Sequence, residues 1–454
     1  MSTKEKAVNQ ITEGVIWKQL LFFFFPIMLG TLFQQLYNTA DAVVVGRFVG
    51  TRALAAVGGS TGQMVNLIVG FFVGLSSGAT VIIARYYGAK NKKDLNDTLH
   101  TAAALSVAGG ILITIAGILF TPSMLKIMKT PADVMADSAT YLRIYFGGII
   151  FVFIYNVGSA ILRAVGDSTR PLYFLIVCCF INIFLDVLLV VGFNMGVAGA
   201  AIATVVSQAV SAVLVIWALL KSTDMYCLHP KEIRFHKFLL VSIITIGLPA
   251  GIQSVMYNLA NMIIQTSLND LGTSTMAAYT AFGKIDAIYW MISGAFSVSI
   301  TTFIGQNYGA QKYDRMKKSV KICLFMDFLA SILVSALLLF FGEYLLRLFT
   351  TDPEVLKIGM KIIHIIAPSY VLFIFIEILS STIRGMGNVL VPMLMTCGGV
   401  CILRIIWIFF VVPHRPGVSN ILLCYPISWG LTAVLFILYY YTQQKKFFHV
   451  HQQI

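Results

Sequence analysis

Long apolar segments constrain this chain more than any other feature of its sequence. Such runs, with few or no charges, recur along all 454 residues. A helix of about 20 apolar residues crosses the ~30 Å hydrocarbon layer of a membrane. Helices and closed barrels alone satisfy every backbone group in lipid, and these runs are too long and too uniformly apolar for barrel strands. The sequence therefore predicts an all-α, polytopic membrane protein.

Twelve membrane-spanning helices are predicted, at residues 17–46, 53–84, 97–120, 133–162, 171–193, 197–220, 237–268, 275–305, 318–341, 354–383, 389–412 and 419–443. The even number puts both termini on one side of the membrane. Cytoplasmic connections carry an excess of Lys and Arg. The termini and the even-numbered connections hold 21 of these residues, and the odd-numbered connections hold 8. Both termini are therefore expected in the cytoplasm, in a multi-pass protein of the plasma or inner membrane. The same bias accounts for the net charge of +13 without nucleic acid as a partner.

The chain repeats itself after about 221 residues. Segment 159–171 is echoed at 380–392 with its Ser, Arg, Gly and Pro retained, and segment 85–89 is echoed at 306–310. The longest polar connection lies at the midpoint, so we predict an N-terminal lobe at 1–220, a cytoplasmic linker at 221–236 and a C-terminal lobe at 237–454. Each lobe has six helices. Because the repeat spans an even number of helices, we expect a pseudo-two-fold axis along the membrane normal, with substrate between the lobes.

Asp41 is an energetically costly residue of the first predicted helix, and an ionisable group in hydrocarbon is a functional hypothesis by default. The topology and a rise of ~1.5 Å per residue place Asp41, Asp186, Asn182 and Thr204 at about one depth. Their hard oxygen ligands suit a small cation such as Na⁺. Two close carboxylates suit a proton equally well, since both cannot stay ionised at low cost. A capping role for Asp41, or an ion pair with Arg47, is the structural alternative.

The order of four short motifs resembles the multidrug and toxic compound extrusion (MATE) family. They are Asn-Thr-Ala-Asp41, a Gly-Ala pair after the second and eighth helices, Arg-x-x-Gly-Asp/Asn after the fourth and tenth, and Asn182-Ile-Phe-Leu-Asp186. The resemblance covers essentially the whole chain. It implies an antiporter in which inflow of Na⁺ or H⁺ drives export of amphipathic, often cationic, compounds. It also implies ion ligands, namely the side chains of Asp41, Asn182, Asp186 and Thr204 and the carbonyl of Ala200.

Pro26 lies inside the long first helix, where proline removes a backbone hydrogen bond and can kink the helix. Our hypothesis is that ion binding at Asp41 changes the bend at Pro26 and so reshapes the cavity of the N-terminal lobe. A static kink is the alternative that the sequence leaves open.

The second half does not repeat the Asp41 site, since Trp407 stands 221 residues after Asp186. Its charges inside helices include Lys284, Asp286 and Glu377, which are either substrate or coupling residues or members of structural pairs. Aromatic and Met side chains offer polarisable surfaces to cationic ligands. The candidates for the substrate cavity are Gln34, Tyr37, Asn38, Tyr155, Gln253, Met256, Tyr257, Asn261, Phe282, Lys284, Asp286, Met291 and Glu377.

Other classes of function lack support in the sequence. The chain carries no nucleophile triad, phosphate loop or nucleotide motif, so we expect neither an enzyme nor a cofactor beyond the coupling ion. We expect a monomer. The alternative function is a lipid-linked saccharide flippase of the same superfamily. Such a flippase is expected to line its cavity with several cations. Apart from the Lys and Arg residues counted with the termini and connections, the predicted spans hold only Arg143, Lys284 and Arg404.

Overall fold

The computed structural model describes residues 10–128, 130–222 and 224–449. Eleven helices in this part of the chain are long and apolar enough to cross a membrane, and two shorter helices that meet at a 48° bend form a further crossing. The predicted all-α polytopic fold class is confirmed. In chain order the crossings are α1 (Ile16–Val49), α2 (Thr51–Gly88), α3 (Lys92–Ile127), α4 (Met135–Gly147 and Ile149–Ala164), α5 (Thr169–Gly192), α6 (Gly196–Leu220), α7 (Lys237–Asn269), α8 (Thr273–Gly309), α9 (Tyr313–Arg347), α10 (Pro353–Gly385), α11 (Leu390–His414) and α12 (Val418–Gln443).

The sequence repeat is also a repeat of backbone conformation. Lys90 and Gln311, which follow α2 and α8, both adopt the left-handed region, with φ of 55° and 58°. Gly166 and Gly387, which follow α4 and α10, have φ of 99° and 90°. The left-handed conformation satisfies the last carbonyls of a helix and turns the chain. Equivalent helices in the two halves therefore end in the same way.

Several helices change to π-helical geometry. The last turn of α1, Val45–Val49, and the last turn of α5, Val187–Gly192, are both π-helical. In α11 the segments Cys397–Ile402 and Trp407–Val411 are π-helical as well. Such segments are rare and often occur at functional sites. Those of α1 and α5 follow Asp41 and Asp186 closely, which directs attention to these two helices.

Two compact units divide the chain. One comprises Phe25–Gly251, and the other comprises Ile252–Ile454 with the described part of Met1–Phe24. We refer to them as the N-terminal unit and the C-terminal unit. Their boundaries fall inside α1 and α7, close to Pro26 and Pro249. The lobes at 1–220 and 237–454 and the linker at 221–236 stay predictions.

Glycines allow α2 and the first half of α7 to approach closely within the N-terminal unit. A Cβ atom at Gly74 would lie 2.5 Å from the backbone N of Gly251, and one at Gly78 would lie 2.3 Å from the carbonyl O of Ile243. Gly247 would be equally crowded, 2.3 Å from the carbonyl O of Leu75. Small residues four positions apart let helices in a membrane pack backbone to backbone. These glycines fix how α7 joins the unit.

Candidate cation site

Thr204 of α6 connects to Asp41 of α1 inside the N-terminal unit. The Thr204 hydroxyl lies 3.1 Å from Asp41 Oδ2 and 3.0 Å from the carbonyl O of Ala200, one turn earlier on its own helix. Asp41 is 6% exposed and Thr204 5% exposed. Three of the five predicted ion ligands therefore meet at one buried point.

One hydroxyl proton serves two acceptors at this point. A threonine hydroxyl has a single O–H donor, so it donates to Asp41 Oδ2 or to Ala200 O at any moment. If it donates to the carbonyl O of Ala200, Asp41 Oδ2 either is protonated and donates to the Thr204 oxygen, or it has no hydrogen bond with Thr204. The same heavy-atom geometry thus accepts an ionised or a protonated Asp41.

Asp186 and Asn182 of α5 supply the remaining predicted ligands. Both side chains are fully buried, and both lie within interaction range of the Asp41 carboxyl. Among the described residues, neither carboxylate oxygen of Asp186, neither polar atom of the Asn182 amide, nor Asp41 Oδ1 has a hydrogen-bond partner. Buried polar groups in native proteins are nearly always paired. The four oxygens among these five atoms have the chemistry to hold a proton or a small hard cation, whereas the Asn182 amide nitrogen is a donor.

The ion pair that we considered for Asp41 is not formed. Arg47 is exposed in the π-helical turn of α1, and within the described part of the chain no salt bridge joins it to Asp41. Asp41 is instead buried in a unit whose core includes an apolar cluster with Val45, Leu142, Phe146 and Val190. A carboxyl in such surroundings is poorly solvated, and this strengthens its electrostatic interactions.

Polar neighbours from α4 and α6 extend the site beyond the predicted ligands. Gln208 Nε2 of α6 donates a hydrogen bond of 3.1 Å to the Tyr37 hydroxyl of α1. Tyr141 of α4 lies within interaction range of Asp41 and Thr204. Gln208 could have been found from its spacing, since it follows Thr204 by four positions and shares its helix face. No sequence pattern points to Tyr141, whose proximity depends on how α4 packs.

The predicted cavity residues of the N-terminal unit occupy different environments. Tyr37 is buried and bonded to Gln208, Gln34 is partly buried beside it, and Asn38 is exposed. Tyr155 belongs to the hydrophobic core, and its hydroxyl donates a 3.3 Å hydrogen bond to the carbonyl O of Pro171. Tyr37 is thus the member of this group that lies nearest the ion ligands.

Asp286 is the most strongly bonded of the candidates in the C-terminal unit. Its carboxylate accepts hydrogen bonds from the Tyr370 hydroxyl and, at 2.7 Å, from Trp290 Nε1. Lys284 is exposed and has no salt bridge within the described residues. The two charges thus have separate environments, as the i, i+2 spacing predicts.

The other C-terminal candidates are dispersed. Glu377 Oε1 lies 3.9 Å from Arg384 Nη2 near the end of α10. Gln253 and Phe282 are buried, Asn261 is exposed, and the remaining side chains, of Met256, Tyr257 and Met291, are partly buried. These residues do not form a second cluster like that around Asp41.

Two further charges are buried, namely Asp327, which the sequence analysis did not name, and Arg404, which it named only as a cation within a predicted span. Asp327 of α9 is fully buried, and Arg404 of α11 is 2% exposed. The Arg404 guanidinium carbon lies 4.0 Å from the ring centre of Tyr425 and 5.3 Å from that of Trp429, and its Nε donates to Ser428 at 3.1 Å. Aromatic faces and a hydroxyl, rather than a carboxylate, stabilise this cation.

Comparisons with known proteins agree with the fold and the repeat. A family model described as MatE matches residues 26–188 and again residues 249–410. The chain is 29% identical to the probable multidrug resistance protein YoeA of Bacillus subtilis (strain 168), over 98% of each chain. It is 27% identical to the probable multidrug resistance protein NorM of Thermotoga maritima, over 84% of this chain and 82% of that protein.

A solved structure has the same fold. It is described as the outward-facing conformation of a multidrug resistance MATE family transporter of the MOP superfamily, and it aligns with a TM-score of 0.91 at 22% identity. The alignment covers 98% of this chain and 99% of that one. The MatE model matches most of the residues of this chain, and the chain therefore belongs to the MatE family of multi-pass membrane transporters, which are not enzymes.

Proposed function

We propose that this transporter is a secondary active exporter in which inward movement of Na⁺ or H⁺ drives efflux of amphipathic, often cationic, compounds. The observation that carries the proposal is the pair of buried carboxyls, Asp41 and Asp186, three of whose four oxygens lack hydrogen-bond partners among the described residues. The relatives named as probable multidrug resistance proteins support the substrate class.

The energetic cost of the unpaired atoms explains why an ion belongs at this site. A buried polar atom without a partner is destabilising by about 1–3 kcal/mol, and by more when it is charged. Asp41, Asp186 and Asn182 contribute five such atoms. Cation or proton binding would satisfy several of them together. A conformation that presents the four oxygens among them to one ion is therefore favoured when the ion is bound, and an ion that binds one state better than another shifts the equilibrium.

Na⁺ and H⁺ would use the site differently. A proton needs only the adjoining carboxyls of Asp41 and Asp186. Na⁺ would also use the Asn182 amide oxygen, the Thr204 hydroxyl and the Ala200 carbonyl. That carbonyl already faces the Thr204 hydroxyl, but a carbonyl oxygen has two lone pairs and can accept a second ligand.

We propose that ion occupancy at Asp41 changes the bend of α1 at Pro26. Proline has no backbone N–H, so the carbonyl of Phe22 lacks its helical partner and the helix is weaker there. Asp41 and Pro26 share one helix, Ile16–Val44, and a shift at one end is transmitted along it. This bending is the proposed link between ion binding and the substrate cavity.

We further propose that the protein acts as a monomer in the plasma membrane, with both termini in the cytoplasm. The excess of Lys and Arg in the termini and even-numbered connections supports this orientation. Cysteine substitution in the connections and labelling with a membrane-impermeant thiol reagent would test it.

Transport in proteoliposomes tests the function. The experiment imposes a Na⁺ or a pH gradient and follows ethidium, a fluorescent amphipathic cation. The Asp41→Asn variant removes one charged ligand, and Asp137→Asn, at an exposed position in α4, is the matched control. Loss of interactions with a charged group, about 1.5–3 kcal/mol, corresponds to transport roughly 10–100-fold slower. Transport whose rate depends on neither gradient, or whose rate is undiminished in Asp41→Asn, would contradict the proposal.

A further inference from the structure

Asp327 is a carboxyl in the middle of an apolar helix of the C-terminal unit. It is fully buried, and neither of its carboxylate oxygens has a hydrogen-bond partner among the described residues. An ionisable group in such a position is costly and points to a function. The repeat does not explain its presence, because Ser106 stands 221 positions earlier.

The groups that face Asp327 come from three helices. Ser331 follows it by one turn on α9, Tyr289 belongs to α8, and Glu377 belongs to α10. Ser293, also on α8, lies beside the Tyr289 hydroxyl. The hydroxyls of Ser331 and Ser293 are buried and likewise lack partners within the described part of the chain. Cys323, one turn before Asp327, is the remaining titratable neighbour.

No positive charge compensates Asp327 directly. No salt bridge joins it to Lys, Arg or His in the described residues. The Tyr289 hydroxyl is already committed, since it donates at 3.2 Å to the carbonyl O of Tyr370 and its ring stacks on that of Tyr370 with centres 3.7 Å apart. A bare carboxylate here would be very unfavourable. A carboxylic acid is neutral, and its O–H can donate to the Ser331 hydroxyl.

Glu377 connects this interior position with the end of α10. Its side chain is 22% exposed, and its Oε1 lies 3.9 Å from Nη2 of Arg384, which is 18% exposed. Glu377 therefore has two charged neighbours, the Arg384 guanidinium and the buried carboxyl of Asp327.

We propose that Asp327 is a second proton-binding residue of this transporter and exchanges its proton with Glu377. In the loading step the O–H bond of protonated Glu377 breaks and an O–H bond forms on Asp327. The net charge of the pair is unchanged. The carboxylate left on Glu377 is held by Arg384, and the neutral Asp327 faces the Ser331 hydroxyl. The binding site rests on the geometry alone, whereas its part in transport rests on the proposed function.

Infrared titration of the purified full-length protein tests proton binding without any transport. In the wild type, raising the pH should remove a carbonyl band of a protonated carboxyl that is missing in Asp327→Asn. Asp314→Asn, at an exposed position in the first turn of the same helix, should give the wild-type spectrum. Identical bands in the wild type and Asp327→Asn would overturn the proposal.

A second measurement places the residue in the transport cycle. The proton-to-substrate ratio, read from the pH gradient that just balances a substrate gradient in proteoliposomes, should fall by one in Asp327→Asn. Glu377→Gln should give the same lower ratio, and it carries the test if Asp327→Asn does not fold. An unchanged ratio in Glu377→Gln, or a change in Na⁺ dependence alone, would refute the assignment. Absence of gradient-driven transport in the wild type would refute the proposed function and leave the infrared result to decide on Asp327.

Discussion

The hydrogen bond between Thr204 and Asp41 provides a quantitative test of the charge on Asp41. Replacing Thr204 by Val keeps the shape of the side chain and removes the hydroxyl that lies 3.1 Å from Asp41 Oδ2. The change leaves Asp41 Oδ2 without its donor. Its cost in stability depends on whether that oxygen belongs to a carboxylate or to a neutral group.

The expected magnitude follows from general values for hydrogen bonds. Bonds to charged groups contribute about 1.5–3 kcal/mol and neutral ones about 0.5–1.5 kcal/mol. Hydrogen bonds between membrane helices average only about 0.6 kcal/mol, with an upper value near 1.7 kcal/mol. We therefore expect Thr204→Val to lower the free energy of unfolding by about 1.5 kcal/mol if Asp41 is ionised, and by about 0.6 kcal/mol in an Asp41→Asn background.

A double-mutant cycle isolates this difference. The four proteins are unfolded by SDS in mixed detergent micelles, and the fraction folded is followed by circular dichroism. We expect a coupling energy near 0.9 kcal/mol at neutral pH, about twice the ~0.3–0.5 kcal/mol by which independent sites deviate from additivity. The coupling should shrink at a pH low enough to protonate Asp41, because both backgrounds then present a neutral acceptor.

Two control substitutions make the result specific. Thr204→Ser keeps the hydroxyl and should retain most of the stability. Thr121→Val removes a buried hydroxyl that bonds only to the carbonyl O of Gly117 on its own helix, and it should show no coupling to Asp41→Asn. A coupling energy indistinguishable from zero at neutral pH would show that an ionised Asp41 does not accept this hydrogen bond, and it would refute the reasoning.

Two further predictions concern packing. Gly78→Ala places a Cβ atom 2.3 Å from Ile243 O and 2.8 Å from Gly247 N, so α2 and α7 must separate, and we expect a loss of about 1–3 kcal/mol. Gly283→Ala, where nothing lies within 4 Å of the new Cβ, should leave the thermal midpoint unchanged or raise it. Arg404→Gln removes the cation that faces Tyr425 and Trp429. It should lower the unfolding free energy by about 1–2 kcal/mol and change the tryptophan fluorescence, whereas Arg143→Gln, at an exposed position, should do neither. Equal midpoints in the two glycine variants, or in the two arginine variants, would contradict the packing described.

Hydropathy was sufficient to predict the helices, because lipid permits so few backbone structures. The ends were less predictable, since polar residues continue a helix beyond the membrane. The eighth predicted span, 275–305, is Thr273–Gly309 in the structure. Depth along the predicted helices also placed Asp41 and Thr204 together. The sequence could not predict that the packing of α4 brings Tyr141 within range of Asp41 and Thr204.

Asp327 shows what a single chain does not reveal before its packing is known. The sequence predicts how deep Asp327 lies along α9. It does not predict whether the carboxyl has a hydrogen-bond partner, because the partner would come from neighbouring helices. Glu377, in contrast, was a candidate from the sequence, but its neighbours were not predictable. Its position near the end of α10 left substrate contact and structural pairing open, and the structure places it between a buried carboxyl and Arg384.

The two halves of the chain repeat their backbone without repeating their acids. Lys90 and Gln311 share a left-handed turn, because that turn is needed wherever a helix must end and reverse. Asp186 and its counterpart Trp407 share only a place in a helix that becomes π-helical. Among the described residues, the buried acids with unpartnered carboxylate oxygens lie on α1 and α5 in one unit and on α9 in the other, so they are not copies of each other. If both bind protons, the effects of Asp41→Asn and Asp327→Asn on the proton-to-substrate ratio should add, because the two sites share no neighbouring residues within the described part of the chain.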